Sequence, residues 1–377
     1  MNELIKQCMN AVLKVLAHQR RLPIFILVTV SLISLTRVAQ QSFNGVTVFK
    51  APQSFESPFT AKSLRTIEPA DVVSTRLKSP YKRRLFVRLP GASARLGNRM
   101  FAHAALLGLA SETDLQASVS FADDKNILSS TFDLTTPVVI EARSAHLRTV
   151  KWSWRTAVYV PPPLNLTAGA DDDDDVVLVG YFQSWRYFKN VDERVRAEFR
   201  FRKRIADAAG NVLRQLTEKY MESSTNLVLV GIHVRRSDMT LDYHMRRGYI
   251  VADKHYIRRA MNYIADRVMT DSNSTSTSLL FIVCTDDDNW ARLNINTTSY
   301  PVVFASSPNR KAAVDLAVLA SCDHVITTVG TFSWWAGYLH RPDGITVYYA
   351  GFPKPGTEIG NDFHAEDFFP PGWIGLL

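Results

Sequence analysis

The residues best suited to chemistry lie in one octapeptide, Gly231-Ile232-His233-Val234-Arg235-Arg236-Ser237-Asp238, directly after the apolar run Leu227-Val228-Leu229-Val230. Arginine forks meet phosphate oxygens bidentately and never lose their charge. The pair therefore points to a phosphate or diphosphate ligand. Strand alternation puts His233 and Arg235 on one face and Val234 and Arg236 on the other, so one arginine reaches the ligand while the other packs or pairs. Asp238 is placed to hold an arginine. A second segment, Thr327-Thr328-Val329-Gly330-Thr331-Phe332-Ser333-Trp334-Trp335, suits the same task. A turn at Gly330 to Ser333 opens a helix whose N-terminus favours an anion. Thr331 and Ser333 also suit helix capping, and Phe332, Trp334 and Trp335 read as core. A third segment, Thr285-Asp286-Asp287-Asp288-Asn289-Trp290, satisfies a loose D-x-D pattern. Its hard oxygens suit Mg²⁺ or Mn²⁺, but an acidic strand end before a helix reads first as an N-cap, and no metal is assigned.

These segments need elements to carry them. A short unbroken apolar run reads as a parallel strand buried on both faces, and open α/β sheets bind ligands beyond the carboxyl ends of such strands. Arg84 to Leu89 is the first expected strand, followed by a loop over 90–98 and a helix over 99–110. That is the opening unit of a doubly wound fold, without a G-x-G-x-x-G fingerprint. Val176 to Val179 is a strand opening into an aromatic loop, and 191–221 read as one charged amphipathic helix. Further strands are expected at 227–234, 278–284, 302–304, 324–327 and 344–349, with helices at 253–269, 312–319 and 332–339. Strands alternate with helices throughout, so the class is α/β. The expected lobes are 83–225 and 226–377. The five aspartates from Asp171 to Asp175 read as a solvated loop.

Charge separates the N-terminus from this body. Of the formal +8, residues 1–95 carry 15 Lys/Arg against 4 Asp/Glu, and the remainder 29 against 32. The basic excess belongs to the tail, which excludes a nucleic-acid-binding face on the globular part. Leu22 to Thr36 is fifteen residues without a charge, preceded by Lys6, Lys14, Arg20 and Arg21. By the positive-inside rule the N-terminus stays cytosolic. The expected plan is a cytosolic tail (1–21), an uncleaved transmembrane anchor in the lipid bilayer (22–40) and a stem (41–82). Sequons at Asn165, Asn273 and Asn296 agree with a lumenal body. Cys8 faces the cytosol; Cys284 and Cys322 read either as a lumenal disulfide or as two buried thiols.

GIHVRRSD resembles the H-x-R-R-x-D motif shared by α1,2-, α1,6- and protein O-fucosyltransferases. More of the chain is similar to the galactoside 2-α-L-fucosyltransferases of glycosyltransferase family 11. Leu96-Gly97-Asn98-Arg99-Met100-Phe101 resembles that family's L-G-N-Q-M-F, and Gly180-Tyr181-Phe182-Gln183-Ser184 with Tyr187-Phe188 its G-Y-x-Q-S…Y-F. Thr285-Asp286-Asp287 with Trp290 resembles S-D-D-x-x-W. Cys322-Asp323-His324 with Thr331 to Leu339 resembles C-x-H…S/T-F-S-W-W-x-x-x-L, and Pro371-Gly372-Trp373 has a counterpart. Arg99 stands where the family has Gln, and Ser237 where vertebrate members have Gly. The resemblance runs in order over 84–377.

It implies a GT-B-like fold of two Rossmann-type lobes, with GDP-fucose in the C-terminal lobe. The implied reaction moves L-fucose, with inversion, to the 2-hydroxyl of a terminal galactose on a glycan, with no obligatory metal or other cofactor. Arg235 then binds the β-phosphate, supported by Arg236 and Asp238. His233 and Asp315 contact the guanosine, Gly330, Thr331 and Ser333 sit at the pyrophosphate, and Asn98 faces the reacting centre. Asp238 and Asp253 are both open as a general base. The implied location is the Golgi membrane, single-pass type II. Other readings are a fucosyltransferase on another acceptor and a catalytically inactive glycan-binding relative. A lumenal sulfotransferase lacks support, because Val329-Gly330-Thr331 comes late and has no lysine.

Overall fold

The computed structural model describes residues 83–90, 95–120, 127–139, 147–152, 155–162, 174–221, 226–271, 277–295, 298–305 and 311–377. These fall within one compact unit, Thr75–Leu377. The expected tail, anchor and stem, Cys8, and the sequons at Asn165, Asn273 and Asn296 lie outside the described residues. Among the described residues no helix is long and apolar enough to cross a membrane.

The strands are β1 (Arg84–Arg88), β2 (Gln116–Ala117), β3 (Val119–Ser120), β4 (Val138–Val139), β5 (Leu147–Lys151) and β6 (Asp175–Val179), then β7 (Asn226–Val234), β8 (Thr277–Thr285), β9 (Val302–Phe304), β10 (His324–Thr327), β11 (Thr346–Tyr349) and β12 (Ile374–Leu376). Two main parallel sheets result, beside the two-stranded parallel pair β3-β4. The first runs β2-β1-β6-β5 and the second β12-β11-β10-β7-β8-β9. Read from the other edge, the second sheet follows the doubly wound dinucleotide-binding order, the connections diverging between β7 and β10. That divergence is the topological switch point, where open α/β sheets hold ligands. The α/β class and, apart from their exact ends, the positions of β7 to β11 are as read from the sequence, whereas the edge strand β12 was not expected. β7 and β8 are in register over their whole length, from Asn226 against Thr277 to Val234 against Thr285. Val230, Ile232, Val234 and residues 279–284 are buried, which is why these segments are uniformly apolar.

Two helices differ from expectation. The first runs Leu96–Ser111 and so begins three residues early, taking Leu96, Gly97 and Asn98 into its first turn. The expected helix over 191–221 is two, Asp192–Glu198 and Lys203–Met221. Between them Phe201 makes an antiparallel bridge with Phe132, and Arg202 N–H donates to Thr131 O at 2.9 Å. Tertiary backbone bonds there replace those a continuous helix would have made. The Lys203–Met221 helix packs on the Ala312–Ala320 helix of the second sheet, although it precedes the expected lobe boundary at 225/226. At the other end, Asp367 returns to the first sheet's loops: its carboxylate accepts from Arg186 at 2.7 Å and from Tyr159 N–H at 2.9 Å.

The two sheets share one core. The Thr331–Leu339 helix buries Trp334 and Trp335 against Phe101 at ring distances of 4.5 and 5.1 Å. Trp335 also meets Phe199 at 5.0 Å. Cys284 and Cys322 are two buried free thiols rather than a disulfide. The last aspartate of the acidic run is not solvated: Asp175 is buried and holds Arg84, pinning β6 to β1.

Candidate functional site

A cleft of about 640 Å³ opens where the carboxyl ends of β7 and β10 meet the first turn of the Leu96–Ser111 helix. That volume is in the range of small-molecule sites. Two helix N-termini converge on it. Gly97 lies so close to Thr331 that a Cβ there would stand 2.7 Å from Thr331 Oγ1 and 2.8 Å from Phe332 N. Trp335 Nε1–H donates to Gly97 O at 3.0 Å across the same seam. First-turn N–H groups have no partner within a helix, and the dipole adds positive potential. Two such ends side by side favour an anion. Gly330 precedes the Thr331–Leu339 helix at φ +93°, a conformation open to glycine alone, and its Cα faces free space.

Arg235 stands at the mouth of β7. Its Nη1 donates to Asp286 at 2.6 Å, its Nη2 to Asp238, and its backbone N–H to Thr328 Oγ1 at 3.0 Å. The guanidinium is thus oriented from both ends. Asp238 also takes an ion pair from Arg95 at 2.7 Å. Burial works to raise the Asp238 carboxyl, but the hydrogen bond from Arg95 and the charges of Arg235, Arg95 and His244 outweigh it and hold it below the usual carboxylate range. A carboxylate held ionised between two arginines is a weak base.

His233 is buried beneath. Its Nδ1 bonds the Ser333 hydroxyl, and its ring lies 4.8 Å from Phe332. Burial, aided by the Arg235 charge, pushes the imidazole down to about 3, so it is neutral at physiological pH and acts as a hydrogen-bonding group.

Of the residues expected at the site, Asn98, His233, Arg235, Asp238, Asp315, Gly330 and Thr331 line this one cleft. Arg236 and Ser333 do not. Arg236 turns away, its guanidinium 3.9 Å from the Trp290 ring centroid and its Nη1 donating to Ala252 O at 3.2 Å. Its backbone N–H ties Asp286 at 2.8 Å, so it supports the site through that carboxylate. Ser333 is buried behind His233. Neither Thr331 nor Ser333 caps its helix: one hydroxyl serves Asn98 and the other His233. Asp253 accepts from Tyr256 N–H at 2.8 Å at the start of the Lys254–Asp271 helix, and it is not in the cleft wall.

The acidic triplet diverges. Asp286 holds Arg235, Asp287 caps the Asp288–Asn294 helix by accepting from Trp290 N–H at 3.1 Å, and Asp288 pairs with Arg292 at 2.6 Å. Among the described residues no group of three His, Cys, Asp or Glu side chains is arranged to hold a metal ion.

Several cleft residues carried no expected role. Arg95 pairs with Asp238. Gln183 Nε2 donates to Asn98 Oδ1 at 3.1 Å. In the wall of the same cleft, Arg247 grips Glu358 with two bonds of 3.0 and 2.8 Å, and Tyr249 stacks on Phe352 at 5.4 Å. Arg247 and Glu358 are 111 residues apart, and no local pattern joins them. The structural signal for Gln183 is the backbone before it: Phe182, at φ +52°, and Ala157, at φ +61°, are the non-glycine residues with positive φ among those described. Such strain gathers at functional sites.

A family model, "Glycosyl transferase family 11", matches residues 67–377. A galactoside 2-alpha-L-fucosyltransferase of Bos taurus is 32% identical over 292 residues, 76% of this chain and 72% of that protein. A galactoside alpha-(1,2)-fucosyltransferase 2 of Bos taurus is 30% identical over 342 residues, 89% of this chain and 92% of that protein. Among solved structures, fucosyltransferase NodZ from Bradyrhizobium aligns with a TM-score of 0.42 at 15% identity, covering 69% of this chain and 93% of that one.

Proposed function

The chain belongs to glycosyl transferase family 11, and we propose that it is a galactoside 2-α-L-fucosyltransferase. It moves L-fucose from GDP-β-L-fucose to the 2-hydroxyl of a terminal galactose on a glycan. The observation that carries this reading is the convergence of Arg235 with two helix N-termini at the switch point of the second sheet. That is a diphosphate site in its chemistry.

In this reading the arrangement is GT-B-like, with the nucleotide sugar held by the second sheet. Arg235 and the 330–333 turn take the diphosphate, Arg236 and Asp238 support Arg235, His233 and Asp315 take the guanosine, and Ser333 fixes the His233 ring. As the C1–O bond of fucose breaks, negative charge grows on the departing GDP. Fixed donors already aimed at that charge lower the barrier, because they need not reorganise. The acceptor oxygen bonds to C1 from the opposite face and releases its hydroxyl proton to solvent as GDP departs, giving an α-linkage from a β-linked donor. Asn98 faces the sugar. The Tyr249–Phe352 stack and the Arg247–Glu358 pair form a wall of the kind that takes a sugar ring: apolar faces for C–H, charged edges for hydroxyls. Asp238 acts by orienting Arg235, and the reaction proceeds without an obligatory metal. Residues 22–40 anchor the chain as a type II protein of the Golgi membrane, a placement supported by the basic tail before an uncharged run and by the sequons.

The test is GDP release from GDP-fucose by the purified full chain, with β-galactosides offered and EDTA present. Galactoside-dependent release, with product cleaved by an α1,2-specific fucosidase, supports the whole reading. Saturable GDP-fucose binding with no release on any galactoside moves the acceptor to another class. Absence of both binding and release refutes the donor site.

A further inference from the structure

Asn98 crosses the floor of the cleft with an amide whose two ends are treated differently. Its Oδ1 accepts from Thr331 Oγ1–H at 2.7 Å, from the second sheet, and from Gln183 Nε2–H at 3.1 Å, from the first. Among the described residues Nδ2 has no hydrogen-bond partner, and Asn98 lines the cleft. The Thr331 hydroxyl can donate or accept, so alone it would tolerate either orientation of the amide. The Gln183 NH₂ only donates, and it selects the carbonyl.

The backbone that carries Gln183 is held firmly. It follows β6 through Phe182, whose ring is fully buried and whose backbone is left-handed at φ +52°. Ser184 N–H donates back to Phe182 O at 2.9 Å. The Ser184 hydroxyl is bonded to Asp367 O, and Trp185 Nε1–H donates to Glu366 O at 2.9 Å. The C-terminal segment therefore clamps a strained turn, and the residue that turn delivers is Gln183. A non-glycine residue persists in such a conformation only where its surroundings over-determine it.

We propose that Gln183 is a positioning residue: it locks the Asn98 amide with its NH₂ toward the cleft, where it donates to the oxygens of the bound sugar or the departing diphosphate. This rests on the reading of the cleft as a fucosyl-transfer site. The NH₂ is then a fixed donor rather than a rotating amide, and its value lies in turnover more than in donor affinity.

The discriminating variant is Gln183→Glu, which keeps size and reverses polarity. Its carboxylate can only accept, so the Asn98 amide turns over and presents its carbonyl to the cleft. At low pH the protonated carboxyl donates again. Its burial shifts that protonation upward, into an accessible range. Kinetics on the full chain with GDP-fucose and a β-galactoside should show kcat reduced at least tenfold at pH 7.5, with KM for GDP-fucose within about twofold. The deficit relative to wild type at the same pH should shrink to about threefold or less near pH 5. Gln183→Leu should show the loss at both pH values. Asn98→Ala should match it, and the double variant should be no worse than Asn98→Ala alone. Wild-type kcat in both Gln183 variants overturns the proposal. So does a pH-independent loss additive with Asn98→Ala, or loss of the thermal transition in both. Those results require an active wild-type enzyme. An inactive wild type refutes the functional reading and this proposal with it.

Discussion

The two first turns approach closely at Gly97, and adding one methyl there tests how tightly the site is held. In Gly97→Ala the new Cβ would meet Thr331 Oγ1 at 2.7 Å, and Phe332 N and Thr331 C at 2.8 Å. Two of these are backbone atoms and cannot swing aside. Ordinary contact needs about 3.4 Å, so the seam must open by roughly 0.6 Å. The Thr331–Leu339 helix cannot simply retreat, because Trp334 and Trp335 fix it in the shared core. The displacement falls partly on the Trp335–Gly97 hydrogen bond and partly on the first turns that face the ligand. Overpacking of this kind costs about 1–3 kcal/mol, a fall of several degrees in Tm. A misplacement of about 1 Å costs roughly 100-fold in rate, so an opening of roughly 0.6 Å predicts kcat down by on the order of tenfold. Gly210→Ala is the control. Gly210 sits in the Lys203–Met221 helix with nothing within 4 Å of the added atom, and that variant should gain about 0.5–1 kcal/mol with unchanged kinetics. Thermal unfolding and steady-state GDP release read both. A Gly97→Ala enzyme with wild-type kcat and a Tm within one degree would refute the claim that the two first turns are held in contact.

Three further outcomes follow from the site and the core beneath it. Arg235→Lys keeps the charge but loses the fork that spans Asp238, Asp286 and the diphosphate; kcat should fall on the order of 10²–10³, and retention of more than a third of wild-type turnover would refute the assignment. For His233 the folded value lies near 3, below the ordinary imidazole, so its contribution to stability is present above about pH 6.5 and lost as pH falls toward the folded value. The slope is about 1.4 kcal/mol per pH unit, and His233→Asn should therefore gain on wild type by about 2–3 kcal/mol between pH 6 and pH 4; parallel Tm-versus-pH curves would refute it. Glu198 is buried against His103 at 3.0 Å and also accepts from Thr136 N–H at 2.9 Å, so Glu198→Ala should cost about 3–5 kcal/mol while leaving the KM for GDP-fucose unchanged in the molecules that remain folded.

What the sequence made legible follows from where the information resides. Parallel strands buried on both faces are apolar runs, so β7, β8 and β10 stood out, and polar residues at their carboxyl ends were candidates by position alone. Arg235 and Gly330 were found this way. The start of the first helix was misplaced because Gly97 and Asn98 are poor helix formers in isolation; only the neighbouring Thr331 makes a glycine necessary there. The break at 199–202 was invisible because its cause, Phe132, is about seventy residues away. Gln183 belonged to a recognisable segment, but its role depends on the backbone of Phe182, which no residue pattern encodes. Ser333 looked like a cleft residue because the helix start was legible, whereas which of its side chains face outward was not.

The Thr331–Leu339 helix explains why core and site cannot vary independently here. Gly330 and Thr331 reach the cleft, Ser333 steadies His233, and Trp334 and Trp335 immediately follow within the aromatic cluster that joins the sheets. A nine-residue helix is about 13–14 Å long, too short for one end to be rigid and the other loose. Donors that stabilise developing charge must already be in place when the bond breaks, since any reorganisation adds to the barrier. The aromatic cluster supplies that immobility, and its burial against Phe101 and Phe199 from the first sheet also holds the two first turns together. Placement of the diphosphate donors and docking of the sheets are therefore one packing event, with Gly97 as the point where the two demands meet.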